Sequence, residues 1–316
     1  LPVCVSDFNG DFRDDVLSVP GQEYFQLSLQ LDDGRYHHMR LDDLPEGVGS
    51  VWAITSADIN GDGFNEAIIG FTNGTFVYKN DLLNNRFILE QLERETFSQN
   101  ISLADVNNDG IIDAFVCDDI GYNVLYYGNA SSNSMDVGFV FDQDTTFVNG
   151  GNYGSAFSDV DGDCDLDLYL AKCKQGENDP TSPDRINLLY MNENGSWLEE
   201  GEQRNVATGA QSWTGTFGDL DNDLDVDLLI TNHTDSNMLL LNDGNGVFQN
   251  IAAQGFRSTD FPLQSILRDI DNNGYLDIFI TGTRHAIFLN QGNMEFLEYP
   301  MDDFCCGNDM LSAGVG

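Results

Sequence analysis

Positive charge is scarce in this chain, which sets 13 Lys and Arg against 53 Asp and Glu for a net charge of −40. Nucleic-acid-binding proteins neutralise phosphates with Lys and Arg, so this balance excludes ordinary nucleic-acid binding. The same negative charge argues against docking on anionic membranes. The sequence also lacks an apolar run of about 20 residues, the length that a membrane-spanning helix needs.

Histidine is rare as well, and its four copies are His37, His38, His233 and His285. None of them lies near a Ser or Cys in a recognisable nucleophile motif. Glycosidase chemistry needs only two carboxylates, but nothing in the spacing of the many acidic residues singles out a pair. We therefore expect a protein that is not an enzyme.

Acidic and amide side chains recur in a nine-residue phrase that occurs six times. Positions 1, 3, 5 and 9 of the phrase are Asp, Asn or Glu, and an apolar, strand-like run follows at once. The copies begin at Asp7, Asp58, Asp105, Asp159, Asp219 and Asp269. A period of about fifty residues with one supersecondary unit per period indicates a propeller or a solenoid.

Oxygen ligands at alternate positions of a tight loop suit a hard cation, and Ca²⁺ takes about 6–8 of them. No His or Cys falls on these positions, so zinc and copper fit poorly. We expect up to six Ca²⁺ ions, bound by the side chains of positions 1, 3, 5 and 9 and the backbone carbonyl of position 7. These residues are Asp7, Asn9, Asp11, Arg13, Asp15; Asp58, Asn60, Asp62, Phe64, Glu66; Asp105, Asn107, Asp109, Ile111, Asp113; Asp159, Asp161, Asp163, Asp165, Asp167; Asp219, Asp221, Asp223, Asp225, Asp227; and Asp269, Asp271, Asn273, Tyr275, Asp277.

The six loops differ at position 6 and in their charge. Position 6 is Gly in three loops, which suits a positive φ, but it is Phe12, Cys164 or Leu224 in the others. Those three loops must either absorb strain or turn differently. The fourth and fifth loops carry four carboxylates at positions 1, 3, 5 and 9, and the other loops carry three. We expect the fourth and fifth to bind calcium tightest, and the first and sixth to bind it weakest.

Sequons and cysteines indicate an extracellular protein, either secreted or at the cell surface. Five sequons fall in predicted turns or loops, where glycans are tolerated, at Asn73, Asn100, Asn129, Asn194 and Asn232. Six cysteines, an even number, fit an oxidising compartment. Cys164 and Cys173 bracket a predicted strand, which holds them too far apart for a disulfide. Cys4 with Cys305 or Cys306 is a candidate pair, because a closed ring brings the chain ends together.

Each period reads as four short antiparallel strands without helical periodicity, which describes a propeller blade. The chain begins without Met or a signal peptide, as expected of a mature or excised segment. The repeats start near residues 1, 51, 99, 152, 212 and 262 of one predicted domain spanning residues 1–316, and a partial seventh starts near 309. In the fifth repeat the predicted strands are Trp213–Gly218, Asp227–Thr231, Met238–Asn242 and Gly246–Ile251. In the sixth they are Leu263–Arg268, Asp277–Thr281, Ala286–Asn290 and Met294–Tyr299.

The repeated phrase resembles the calcium loop of FG-GAP/VCBS-type repeat proteins, the family of the integrin α-subunit β-propeller. The resemblance covers essentially the whole chain, although the name-giving Phe-Gly pair is nearly absent and Phe217-Gly218 is its closest form. It implies an all-β propeller whose calcium loops join strands 1 and 2 of each blade, on the face opposite the usual ligand-binding face. Family propellers commonly have seven blades, whereas this chain has six complete blades and, at Met310–Gly316, the first strand of a seventh.

Two non-enzymatic functions follow from this reading. The first is a calcium-stabilised adhesion or recognition module that binds an extracellular protein or glycan. Trp52, Tyr153 and Trp213, each six residues before a calcium loop, could contact that ligand or simply pack between blades. The second is a structural subunit of an extracellular fibre or matrix, joined to copies of itself through the open seventh blade. Because some family members are enzymes, a polysaccharide-acting enzyme is the third and weakest alternative.

Overall fold

A computed structural model describes residues 2–81, 86–132, 134–141, 150–233, 235–257, 262–283 and 285–300. Contacts between Cα atoms divide the chain into two compact units, Leu1–Gly150 and Gly151–Gly316. The boundary falls between the third and fourth repeats. The expectation that residues 1–316 form a single domain stays a prediction.

The first unit contains three four-stranded antiparallel sheets in which consecutive strands are neighbours. A single 3-10 turn, Pro20–Gln22, follows the second strand. The strands are β1 (Val3–Ser6), β2 (Asp15–Ser18), β3 (Tyr24–Gln30) and β4 (Tyr36–Asp43); β5 (Val51–Ala57), β6 (Glu66–Phe71), β7 (Gly74–Asp81) and β8 (Arg86–Gln91); and β9 (Ser98–Ala104), β10 (Asp113–Asp118), β11 (Val124–Asn129) and β12 (Ser134–Val140).

The second unit repeats this plan with three more sheets of the same order. Its strands are β13 (Asn152–Ser158), β14 (Asp167–Lys172), β15 (Leu188–Glu193) and β16 (Ser196–Glu199); β17 (Ser212–Gly218), β18 (Asp227–Asn232), β19 (Met238–Asn242) and β20 (Phe248–Ile251); and β21 (Pro262–Arg268), β22 (Asp277–Gly282), β23 (Ala286–Asn290) and β24 (Phe296–Pro300).

The second strand of each sheet lies in the core. In β6, β10, β14 and β18 every residue is buried, so both faces of the strand are covered. Within each unit, apolar clusters fill the space between successive sheets: Phe71 and Phe25 lie in one cluster, and Ile230 and Tyr169 in another. The continuous apolar runs of these strands are therefore explained by burial on two faces, where a half-exposed strand would alternate.

Six four-stranded antiparallel sheets built this way are propeller blades, so the predicted all-β propeller class is confirmed. In the fifth and sixth blades the predicted strand bounds agree with the structure within two residues. The predicted first strand of a seventh blade, near 309, lies outside the described residues. The described residues contain no helix that is long and apolar enough to cross a membrane.

The thiols bear on the disulfide prediction. Cys4 is a free thiol whose Sγ donates to Ser56 Oγ at 3.1 Å, and Cys164 is a free and exposed thiol. The free state of Cys164 agrees with the argument against a bond to Cys173. Both predicted partners of Cys4, Cys305 and Cys306, lie outside the described residues, so that pairing stays a prediction.

Candidate cation-binding loops

All six acidic phrases form the same kind of loop between the first and second strands of a blade. Position 1 directly follows the first strand, as Asp159 follows β13, and position 9 begins the second strand, as Asp167 begins β14. This placement agrees with the one implied by the family resemblance. The loop brings its polar side chains to one end of each sheet.

The loop backbone turns through the left-handed region at positions 4 and 6. At position 6, φ is 64° for Phe12, 76° for Cys164 and 81° for Leu224, close to the 89° of Gly63. These loops therefore make the same turn as the glycine loops and absorb the strain. Position 4 also has positive φ, and in all six loops it is Gly or Asn: Gly10, Gly61, Asn108, Gly162, Asn222 and Asn272. Sequence reasoning missed this second signal, although these two residue types tolerate that conformation best.

The position 1 carboxylate holds the loop closed through backbone N–H groups. Asp159 Oδ1 accepts from Gly162 N at 2.8 Å, and its Oδ2 accepts from Cys164 N at 3.0 Å. Position 5 makes a smaller turn, in which Asp163 Oδ1 accepts from Asp165 N at 2.8 Å. The loop is thus ordered by its own carboxylates, which bend it around a common centre.

The position 9 carboxylate is buried and bonded to two backbone amides. Asp227 is fully buried, and its Oδ2 accepts from Leu220 N of the same loop at 2.8 Å. Its Oδ1 accepts from Asn242 N, at the end of β19, at 3.0 Å. Asp167 and Asp113 are bonded in the same way. Position 9 therefore ties the loop to the third strand of its own blade.

Burial makes the charged form of these carboxylates unfavourable. It raises the pKa of Glu66, Asp167 and Asp227 to about 7 and that of Asp113 to about 6, against the opposing effect of the backbone hydrogen bonds. Neighbouring carboxylates at positions 1, 3 or 5 of the same loop raise these pKa values further. A cation at the loop centre would remove this penalty, because it favours the ionised form.

Three loops bring carboxylates from positions 1, 3 and 9 together. In each of them one oxygen from every residue lies within 4.8 Å of the others. The three clusters are Asp159, Asp161 and Asp167; Asp219, Asp221 and Asp227; and Asp269, Asp271 and Asp277. Position 5 is outside these clusters, so its predicted role as a ligand stays a prediction, as do the carbonyls of position 7. The sixth loop, expected among the weakest, is one of the three.

Two oxygens in these clusters show that the donor set fits a cation. Asp161 Oδ1 and Asp221 Oδ1 are buried, and neither has a hydrogen-bond partner among the described residues. A buried carboxylate oxygen without a partner costs free energy unless a ligand satisfies it. The groups that converge there are carboxylates, the hard oxygen donors that Ca²⁺ prefers. Asp161, Asp167, Asp221 and Asp227 would therefore hold the ion in loops 4 and 5.

The loops of the first unit carry Asn at position 3 and so hold fewer charges at the same centre. In the first loop a cation of the protein already pairs with the acidic residues. Arg13 lies 2.7 Å from Asp11 Oδ2 and, through its other terminal nitrogen, 2.7 Å from Asp32. Arg13 thus offsets part of the negative charge of loop 1, as Arg204, 3.7 Å from Asp161 Oδ2, does in loop 4.

Asparagine at the end of the third strand contacts the loop of the preceding blade. Asn242 Nδ2 donates to Val160 O, at position 2 of loop 4, at 2.7 Å. Asn290 Nδ2 likewise donates to Leu220 O, at position 2 of loop 5, at 2.8 Å. The sequence shows these asparagines at the ends of the third strands, but no local pattern indicates that they reach a neighbouring blade.

The three predicted ligand-binding aromatics lie at the first-strand ends opposite the acidic loops. Trp52 is 49% exposed, its Nε1 donates to Thr72 Oγ1 at 3.0 Å, and its ring lies 5.6 Å from that of Phe97. Tyr153 and Trp213 have ring centroids 5.4 Å apart. Trp52 and Tyr153 therefore pack on a ring of the next blade, Trp213 packs on a ring of the preceding blade, and each keeps part of its surface accessible.

His233 extends the second aromatic pair, and sequence reasoning did not include it. Its ring lies 5.3 Å from Trp213, so three rings follow one another across two blades. The indole Nε1 of Trp213 is buried without a hydrogen-bond partner among the described residues. The three rings therefore pack across the boundary between the fourth and fifth blades.

The sequon prediction needs three corrections, at Asn100, Asn129 and Asn232, which all lie in strands. Asn100 lies within strand β9, and Asn232 ends β18 and is fully buried. Asn232 Nδ2 donates to Ser236 O at 2.6 Å, and its Oδ1 accepts from Ser212 Oγ at 2.7 Å. The expectation that all five sequons fall in turns or loops is therefore wrong here, because Asn also serves in buried hydrogen-bond networks.

The other three sequons are closer to the surface. Asn73 and Asn194 lie in exposed turns, whereas Asn129 is the half-buried last residue of β11. Asn194 N donates to Asp165 Oδ2 at 2.7 Å, which leaves its side-chain amide unconstrained by that contact. Asn73 and Asn194 thus remain the best-placed glycosylation sites.

Comparison with known proteins was made on both sequence and structure. A model of the FG-GAP-like repeat matches residues 7–69, 159–230 and 219–280, which include five of the six acidic loops. No curated protein sequence matches the chain. The family assignment therefore rests on the match between these repeats and the family model.

Solved structures share the fold at low sequence identity. One is described as an Agrocybe aegerita lectin recognising non-reducing terminal N-acetylglucosamine; it is 16% identical, with a TM-score of 0.62 over 95% of this chain and 80% of that chain. Another is BBS1N in complex with ARL6DN, soaked with lead, which is 10% identical, with a TM-score of 0.56 over 92% of this chain and 78% of that chain. At these identities the likeness is one of fold.

Proposed function

Because the chain belongs to the FG-GAP-like repeat family, we propose that it is a calcium-stabilised extracellular recognition or adhesion module. The convergence of three carboxylates in each of loops 4, 5 and 6 is the observation that carries the calcium part of this proposal. The buried and unpartnered oxygens of Asp161 and Asp221 support it further. Calcium acts mechanically here: each ion holds together carboxylates that otherwise repel, so its binding energy becomes folding energy.

Calcium binding is tested by isothermal titration calorimetry on the metal-free protein, followed by thermal unfolding in millimolar calcium and in EDTA. We expect uptake of up to six ions and a sharp loss of stability in EDTA. A matching titration with Mg²⁺ checks selectivity, because Mg²⁺ demands a smaller, octahedral site. No heat of binding and an unchanged melting profile in EDTA would refute the proposal.

Recognition is proposed for the ends of the blades that lie opposite the acidic loops, where Trp52 and the pair Tyr153 and Trp213 lie. Exposed aromatic surface is suited to stacking on a sugar or to anchoring a protein partner. The fold shared with a lectin makes glycans ending in N-acetylglucosamine the first probe to try. Because binding and packing compete as explanations, the test must separate loss of ligand from loss of fold.

The test compares Trp52→Ala and Trp213→Ala with Leu198→Ala in a glycan array and an extracellular-protein screen. Leu198 is a suitable control because it is 60% exposed on the outer strand β16, away from the aromatics. We expect the two tryptophan variants to lose the ligand of the wild-type protein while their calcium-dependent melting stays cooperative. Equal binding by all three variants would locate recognition elsewhere on the molecule.

The second candidate function is a structural subunit of an extracellular fibre or matrix. Its support is the set of apolar side chains exposed on the edge strand β1, where Val3 is 48% and Val5 is 59% exposed. Exposed strand edges recruit other strands. Light scattering and electron microscopy in calcium and in EDTA decide: calcium-dependent filaments favour the fibre, and a compact monomer favours the recognition module.

A secreted or cell-surface location is part of the proposal. It is supported by the exposed sequons Asn73 and Asn194. It is also supported by the acidic loops, because calcium sites of this type fill at extracellular calcium concentrations.

A non-enzymatic role is proposed as well. Ser28 Oγ lies 2.7 Å from His38 Nδ1, but these residues are direct cross-strand neighbours of the outer hairpin β3–β4. Such a contact is the usual pairing of opposite side chains in a sheet.

A further inference from the structure

Two buried asparagines connect the acidic loops of the second unit in series. Asn242, at the end of β19, is 7% exposed, and Asn290, at the end of β23, is fully buried. Each one donates from its backbone N–H within its own blade, and from its side-chain amide to a carbonyl of its own blade and to one of the preceding blade. This double use distinguishes them from asparagines that only cap a turn.

The hydrogen bonds form an unbroken path between the position 9 carboxylates. Asn242 donates from Nδ2 to Val160 O in loop 4 at 2.7 Å and from its backbone N to Asp227 Oδ1 in loop 5 at 3.0 Å. Leu220 then continues the path, because its N–H donates to Asp227 Oδ2 at 2.8 Å and its carbonyl accepts from Asn290 Nδ2 at 2.8 Å.

The path closes in the sixth blade. Asn290 N donates to Asp277 Oδ1 at 2.8 Å, and Asp277 Oδ2 accepts from Ile270 N at 2.7 Å. At its other end, Val160 N donates to Asp167 Oδ2 at 3.0 Å. The carboxylates of Asp167, Asp227 and Asp277 are therefore joined through residues that are mostly buried, and each belongs to one of the three clusters that fit a cation.

We propose that Asn242 and Asn290 are positioning residues that couple the cation sites of loops 4, 5 and 6, so that these sites fill cooperatively. The proposal rests on the calcium binding proposed above. An ion in one loop fixes positions 1, 3 and 9, and so fixes the position 2 peptide between them. The carbonyl of that peptide holds the asparagine of the next blade, which in turn orients the next position 9 carboxylate before its own ion arrives.

Filling the first site thus already orders part of the second site, so that binding there loses less conformational entropy. This is a general origin of positive cooperativity. Burial strengthens the effect, because a position 2 carbonyl that loses its buried partner is left unsatisfied. A coupling of about five-fold in affinity per link lies at the low end of measured couplings between sites.

The first unit contains a natural contrast at Gly128. Gly128 N donates to Asp113 Oδ1 at 3.0 Å, as Asn242 N does to Asp227, but glycine has no side chain to reach the preceding loop. A Cβ at this position would lie 2.8 Å from Ile59 O, which is position 2 of loop 2. Loops 2 and 3 therefore lack this link, and the coupling belongs to the loops of the second unit.

A double-mutant cycle on the full chain tests the coupling, with calcium alone as the ligand. Asp221→Ala disables the middle loop, and Asn242→Ala with Asn290→Ala removes both links. Calorimetry and equilibrium dialysis measure the number of ions and their affinities in each background. In the wild-type background we expect Asp221→Ala to remove one ion and to weaken the neighbouring sites by about five-fold or more.

In the background without the two links, Asp221→Ala should remove one ion and leave the affinities of the other sites unchanged. Asn205→Gly is the matched control, because Asn205 Nδ2 joins the same two blades through Phe248 O at 3.1 Å without touching an acidic loop. Glycine keeps the positive φ of 62° at that position. This control should retain the full coupling, and Asn242→Ala alone provides the test if the doubly substituted chain does not fold.

The outcomes separate the two proposals. Equal effects of Asp221→Ala in the linked and unlinked backgrounds, with calcium still bound, would overturn the coupling alone. A wild-type chain that takes up no calcium would overturn the calcium proposal and the coupling together. Loss of coupling in the Asn205→Gly control would assign it to general contact between the blades instead of to the two asparagines.

Discussion

At the scale of single residues, acidic side chains in one loop have different roles although they carry the same charge. Asp221 belongs to the cluster at the centre of loop 5 and has a buried oxygen without a partner among the described residues, whereas Asp225 lies outside that cluster. Net charge alone therefore cannot account for calcium binding. The geometry of the loop decides which carboxylates take part.

We expect Asp221→Ala to abolish one calcium site and Asp225→Ala to leave all sites filled, because both remove one charge but only the first removes a converging ligand. At calcium concentrations about 100 times the dissociation constant, one site contributes about 2.7 kcal/mol to stability. Calorimetric stoichiometry and melting in calcium measure both effects. Equal losses in the two variants would mean that loop charge, and not its arrangement, governs binding.

Position 6 is where backbone strain is stored. Leu224 has a φ of 81° and is 90% exposed, so its side chain contributes little burial to offset a left-handed backbone that costs about 1–2 kcal/mol. Gly274 makes the same turn with a φ of 91°, and a Cβ added there would meet nothing within 4 Å. The two positions differ in the residue and hardly at all in their backbone.

Leu224→Gly should therefore raise the free energy of unfolding by about 0.5–1 kcal/mol, after the greater flexibility of glycine in the unfolded chain is subtracted. Gly274→Leu should lower it by about the same 0.5–1 kcal/mol, because the strain is partly offset by the smaller flexibility of leucine in the unfolded chain. Urea denaturation in saturating calcium measures both changes. The hypothesis of stored strain is wrong if both substitutions shift stability in the same direction.

At the scale of strands and turns, the position of an asparagine in its element decides whether it can carry a glycan. Asn194 lies in the exposed turn between β15 and β16, whereas Asn232 is fully buried at the end of β18 and bonded through both side-chain atoms. Asn100 is part of the first strand β9. The same three-residue sequon therefore has different surroundings in each case.

Glycopeptide mass spectrometry of protein secreted from eukaryotic cells should find glycans at Asn73 and Asn194 and none at Asn232. Asn194→Gln should be neutral for stability apart from the lost glycan. Asn232→Gln should destabilise by about 1–3 kcal/mol, because it breaks a buried network around Ser212. An occupied Asn232 in the folded, secreted protein would contradict the burial of its side chain.

Local chemistry in the sequence was sufficient to predict the blades and the acidic loops. The sequence predicts the ends of β19 and β23 correctly, because Asn and Gly follow an apolar run there. Every position 9 begins a strand, as the repeated phrase indicates. The hydrogen bond from Asn242 to the preceding blade could not be predicted from the sequence, because its acceptor, Val160 O, lies 82 residues away and only packing brings the two residues together. For the same reason the burial of Asn232 was hidden in a sequence that reads like a surface turn.

At the scale of the whole molecule, buried position 9 carboxylates make the metal-free protein sensitive to pH. The pKa values of Asp167, Asp227 and Glu66 are about 7, against ordinary values of about 4 in the unfolded chain. Between these limits the folded state binds more protons than the unfolded state. The stability that these carboxyl groups contribute is therefore fully present below about pH 4, and it is lost as pH rises through 7.

In EDTA we expect the melting temperature to fall by at least several degrees between pH 5 and pH 8, since the buried carboxylates must then ionise without a counter-ion. In saturating calcium the dependence should nearly vanish over the same interval, because the carboxylates that hold the ions are then ionised in the folded state, as they already are in the unfolded chain above about pH 5. The difference between the two curves should therefore widen as pH rises. Parallel curves with and without calcium would mean that the buried position 9 carboxylates do not take part in metal binding. Only the side chains at positions 1, 3 and 5 of each loop would then remain as ligands.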